Sequence, residues 1–128
     1  MLEIKPCTEK KKIAETCKKC GKIPDESFYL YLAVNKDEQL AACLFEVSGD
    51  SVSALFYECA DECDYWLFDG LLRAGFNYAF EQGLTTGRIP EPFRIARQRL
   101  FSKLNYPATT EFDITNFFKK YKNCSMDY

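Results

Sequence analysis

With 128 residues, 47% of them hydrophobic and 16% aromatic, the chain has apolar surface enough for one core and little for a second, which argues against a disordered chain. A net charge of −2 and a pI near 5.2 create no overall field toward nucleic acid or an anionic membrane. Histidine is absent, so no mechanism that needs an imidazole base or ligand applies.

Seven cysteines are an odd number. No N-terminal apolar run resembles a signal peptide, and no stretch reaches the roughly 18 apolar residues of a membrane span. The expectation is a cytoplasmic protein with reduced thiols, several of them acting as small core residues.

Residues 2–7, LEIKPC, alternate weakly and suit a short edge strand, with Pro6 at its end. Thr8 reads as the N-cap of a helix from Glu9, with Ile13, Cys17 and Cys20 on one stripe and Gly21 as the stop. The lysines around it, Lys5, Lys10, Lys11, Lys12, Lys18, Lys19 and Lys22, read as a solvated helix face, with an anion site as the alternative. SFYLYLAV (27–34), LAACLFEV (40–47) and SVSALFYECA (51–60) predict a three-stranded meander, joined by NKDEQ and SerGlyAsp turns.

The period then changes. Leu67, Phe68, Leu71, Leu72, Ala74, Phe76, Tyr78 and Phe80 give a broad apolar helical face over 66–82, with Asp64 as N-cap and Gly83 closing. LTTGRI (84–89) follows as a strand. Pro92 then opens a helix with Phe93, Ala96, Leu100 and Leu104 inside. FDITNFFKKYKNC reads as a last strand, with a helical turn at FFKKY as the alternative.

Three constellations stand apart from the core pattern. Cys17 and Cys20 form a CxxC, and Cys59 and Cys63 a CxxxC; four thiolates can hold zinc, but one-turn spacing equally suits core packing and no knuckle glycines flank the second pair. Arg88, Arg94, Arg97, Arg99 and Lys103 cluster around the second long helix, either as a solvated basic face or toward a phosphate or an acidic partner. Tyr65, Trp66 and Phe68 group at a helix start, where aromatics seal a core or floor a pocket or interface.

The order strand, helix, three-stranded meander, helix, strand, helix, strand is α+β, and it resembles the GNAT family of N-acetyltransferases across almost the whole chain. GLLRAGFNYAFEQGL (70–84) is similar to the helix and following strand of that family's acetyl-CoA motif, and FSKLNYPA (101–108) to the LGF segment closing its last helix. The resemblance implies one GNAT-like domain over 1–128, a mixed and mainly antiparallel sheet flanked by helices. It also implies acyl-CoA-dependent N-acyl transfer, with acetyl-CoA or another acyl-CoA as cofactor, no metal, and a small-molecule or amine acceptor. Neither nucleic acid nor membrane is expected as a partner; a homodimer or protein partner is compatible with it.

In that family an RxxGxG or QxxGxG loop wraps the pyrophosphate, because glycines let the backbone approach and helix N-terminal amides donate. The cofactor-facing positions here would be Cys59, Ala60, Cys63, Asp64, Tyr65, Trp66, Leu67 and Phe68. With Leu71 and Leu72 set on the paired leucines after the loop, Cys63 stands at the Arg or Gln position, and Trp66 and Phe68 at the glycines. Asp64 and Asp69 would each oppose a phosphate by roughly 1 to 3 kcal/mol, and a carboxylate cap at Asp64 would occupy the same amides. Glu58 takes the place of the family's base. Phe101 stands where its tyrosine acid would lie, with Tyr106 near enough in sequence to substitute. Transfer is therefore expected to be reduced or absent, the alternative being a non-catalytic ligand- or protein-binding module on the same scaffold, with a cysteine-bound zinc protein a distant third.

Overall fold

The computed structural model describes residues 2–60, 64–107 and 109–118. In chain order it contains β1 (Leu2–Pro6), α1 (Lys10–Lys19), β2 (Phe28–Asn35), β3 (Glu38–Ser48), β4 (Ser51–Cys59), α2 (Tyr65–Glu81), β5 (Thr86–Arg88), α3 (Glu91–Ala96), α4 (Gln98–Phe101) and β6 (Glu111–Asp113). The six strands form one sheet in sequence order, antiparallel except for the parallel pair β4 and β5. This is the α+β, mainly antiparallel architecture that the element order predicts.

Alternation along the strands sorts side chains onto two faces. Ala33, Ala41, Cys43, Phe45, Val52, Ala54 and Tyr57 pack with Leu67, Phe68, Leu71, Leu72 and Phe76 of α2. Phe28, Leu30, Leu32, Ala42 and Leu44 pack on the other side with Cys17 of α1. The helices thus lie on opposite faces, and the larger core is under α2.

Helix α2 comes unusually close to the sheet. A Cβ on Gly75 would sit 2.0 Å from the Phe45 ring, so only glycine fits there. Its C-terminus closes as a Schellman turn, with Gly83 at φ 86° and the Leu84 amide donating to Ala79 O at 3.0 Å.

Strands β4 and β5 pair only over Ser51–Ser53 and Thr86–Arg88. A bulge at Leu55, where the register with β3 steps from Phe45/Ala54 to Leu44/Phe56, bends β4 beyond that point. From Ala54 to Cys59 the edge facing β5 carries no strand among the described residues, and α3 packs against β4.

Three expectations are corrected. Thr8 does not cap α1: the N-cap is Glu9, without a side-chain hydrogen bond, and the helix begins at Lys10. The single helix expected after Pro92 breaks at Arg97 (φ −117°, ψ 28°) into α3 and α4. The final strand is only Glu111–Asp113; the Asp113 carboxylate accepts the Asn116 amide at 3.2 Å, and 114–118 turn into helix.

Candidate functional site

The site that the sequence singles out is the junction of β4 and α2. Cys63 lies outside the described residues, so the junction is seen from Ala60 and from Asp64 onward. Asp64 caps α2: one carboxylate oxygen accepts the amides of Trp66 (3.1 Å) and Leu67 (3.2 Å). These are two of the orphan donors that any anion at this helix end would need.

The aromatics divide between two roles. Phe68 is fully buried, with Tyr57 at 4.8 Å, Phe101 at 5.0 Å and Phe93 at 6.0 Å between ring centroids. Leu67 is buried with it. Trp66 points outward, 71% exposed, its ring 5.1 Å from that of Tyr65. The hydrophobic pattern accounts for Phe68 and Leu67, whereas the exposure of Trp66 follows from its place on the outer side of the first turn.

Arg97 closes the open stretch of β4. Its guanidinium donates to the Tyr57 carbonyl and lies over the Tyr57 ring, 5.3 Å from the centroid. The helix break at Arg97 is what lets its side chain reach the strand. The Tyr57 hydroxyl is buried beside the Cys59 thiol and finds no oxygen or nitrogen partner among the described residues. Burial, then that thiol, pushes its pKa up.

Outside this junction lies a groove of about 730 Å³, lined by Tyr65, Ile95, Arg97, Arg99, Leu100 and Lys103 among others. Ile95 is 60% exposed at its rim. Among the described residues neither Arg99 nor Lys103 is in an ion pair. The five cations of this region therefore do not act as one strip. Arg88 pairs with Glu111 (3.4 Å), and Arg94 donates to the carbonyls of Pro107 (2.9 Å) and Thr109 (3.0 Å).

Glu58 and Tyr106 are held by different partners. Glu58 is on the α1 face, its carboxylate bound by Lys19 at 3.0 and 3.1 Å. Tyr106 is on the α2 face, donating to Asp69 Oδ1 at 2.9 Å, while Arg73 binds the same carboxylate at 2.9 Å. Burial, then Asp69, raises the Tyr106 phenol well above its ordinary pKa.

No protein-family model and no curated protein sequence matches this chain. Its fold does match solved structures. The ribosomal-protein-S18-alanine N-acetyltransferase of Escherichia coli aligns over 85% of this chain and 80% of its own, with TM-score 0.60 and 15% identity. An N-acetyltransferase of Staphylococcus aureus aligns over 90% and 99%, with TM-score 0.60 and 13% identity. The PaiA N-acetyltransferase of Thermoplasma acidophilum, solved in complex with coenzyme A, aligns over 88% and 96%, with TM-score 0.57 and 9% identity. The chain has the GNAT fold.

On this GNAT scaffold the two residues placed in catalytic roles by resemblance do not meet: the sheet separates Glu58 from Tyr106. Asp69, expected to oppose a phosphate, is buried and turned toward Tyr106 and Arg73. The i,i+4 spacing of Asp69 and Arg73 was a legible sign of that pairing. Cys17 and Cys20 pack on the α1 face and Cys59 on the α2 face, so the four-thiolate zinc reading is not supported. Among the described residues no group of three or more metal-ligating side chains converges. The role of Arg97 had no sequence signal, since it depends on a helix break that the continuous apolar pattern conceals.

Proposed function

We propose that this GNAT-fold chain is a binding module whose cofactor cradle has been converted to structural use, rather than a working acyl-CoA-dependent N-acyltransferase. One observation carries the reading: the Asp64 carboxylate accepts the Trp66 and Leu67 amides, the donors a pyrophosphate would take. A phosphate arriving there would have to displace an internal anion and then sit against its charge. Three features agree with it. Arg97 covers the open carbonyl of β4, Phe68 fills the space beneath, and both candidate catalytic side chains are engaged elsewhere.

The second reading, acyl transfer with an altered mode of CoA binding, draws support from the divergence of β4 and β5 and from the basic groove beside it. Calorimetric titration with acetyl-CoA, alongside assay of CoA release with a panel of amines, separates the two. The binding-module reading predicts no heat of binding up to about 1 mM, an affinity weaker than about −4 kcal/mol, and no amine-dependent release. Micromolar binding with turnover would establish the second reading in its place.

A further inference from the structure

The groove beside Tyr65 has a composition that specifies an occupant. Ile95 and Leu100 give it an aliphatic part, and half-buried Tyr65 also lines it, with the exposed Trp66 ring 5.1 Å from that of Tyr65. Arg99 and Lys103 line it without an ion pair among the described residues, and Ile95 and Trp66 are two of the five large apolar side chains described as exposed. Tyrosine and arginine beside aliphatic side chains, with a tryptophan next to them, are residue types that concentrate binding energy at protein interfaces. We infer that this groove docks a short acidic peptide segment of a partner protein, with one apolar side chain seated against Ile95 and Leu100 and carboxylates facing Arg99 and Lys103. The inference rests on the binding-module reading and names its partner.

Charge decides against the rival occupants. Nucleic acid is held by tracking many phosphates along a basic surface. Here two lining cations, Arg99 and Lys103, have no ion pair among the described residues, and the chain carries a net charge of −2, so one or two carboxylates match the site where a polyphosphate backbone does not. A small cofactor anion lacks the amides that Asp64 has taken.

Trp66 is the chain's single tryptophan and its ring lies 5.1 Å from that of Tyr65, which lines the groove, so its fluorescence is a label-free reporter of occupancy. The probe is the hexapeptide DELFDE with blocked ends, which contains neither Trp nor Tyr. Added to the full chain at low salt, it is expected to give a saturable blue shift with a midpoint below about 1 mM. Arg99→Glu and Lys103→Glu should each weaken binding roughly tenfold, more at low salt than at high. Ile95→Ala should weaken it several-fold while far-UV circular dichroism stays unchanged. No shift with DELFDE, or binding indifferent to both charge reversals, overturns the inference and leaves the binding-module reading standing. A stronger response to oligothymidylate overturns it in favour of nucleic acid, and a peptide-independent shift that grows with protein concentration in favour of a second copy. Acetyl-CoA binding with turnover overturns the binding-module reading as well.

Discussion

Asp64 shows how one side chain can stabilise an element and at the same time occupy the donors an anion would need. As an N-cap it satisfies two amides, and its loss in Asp64→Ala should cost about 1 kcal/mol, read as a lowered urea midpoint with unchanged slope. Asp64→Ser should recover most of that stability, because a hydroxyl caps nearly as well. The buried Asp69 is a harsher case: it holds Arg73 and the Tyr106 hydroxyl together. Tyr106→Phe should cost about 1.5 to 3 kcal/mol, the range for a hydrogen bond to a charged group, measured by urea unfolding. A loss within 0.5 kcal/mol would mean that the triad is incidental. By contrast the Lys19–Glu58 pair is partly exposed on both sides, and its charges are screened.

The elements differ in how far the sequence announces them. The meander and α2 follow directly from period: alternation in SFYLYLAV and LAACLFEV, then helical recurrence from Leu67 to Phe80. The Asp64 cap and the Gly83 stop were equally legible, since each residue type has one physical reason to stand there. The break at Arg97 was not, because Phe93, Ala96 and Leu100 keep helical spacing across it and a long-range bond to Tyr57 O rewards the interruption. The split of Tyr65, Trp66 and Phe68 between surface and core was likewise hidden, as all three types suit either place. Close packing of α2 on β3 yields a paired prediction. Gly75→Ala, with the Phe45 ring 2.0 Å from the new Cβ, should destabilise by about 1 to 3 kcal/mol or more. Gly70→Ala meets only the movable end of Ile4, at 2.5 Å, and should cost clearly less. Chemical denaturation of both variants checks the order.

For the molecule as a whole, several buried acids titrate in one direction. Burial, the leading cause in each case, raises the pKa of Tyr29, Tyr57, Tyr106 and Cys43 in the folded chain. A raised folded pKa means that the folded state holds its proton longer than the unfolded one. The associated stability is complete below the unfolded values, about 8.5 for Cys and 10 for Tyr, and is lost as pH rises above them. Stability from these groups should therefore be level from neutrality to about pH 8.5 and fall steeply above pH 10, as thermal melts across that range would show. Unfolding that is insensitive to pH between 9 and 11 would contradict the buried placement.

The same scale frames what the fold implies about function. A GNAT scaffold can persist while its site is rebuilt, and the rebuilding proposed here turns on two backbone amides. Their environment is open to direct observation by ¹⁵N–¹H correlation spectra of the full chain during titration with acetyl-CoA. With Asp64 holding them, the Trp66 and Leu67 amide signals should stay in place up to about 1 mM acetyl-CoA. Large, saturable shifts of those two signals at micromolar cofactor would show that a phosphate displaces the carboxylate, and would contradict the account.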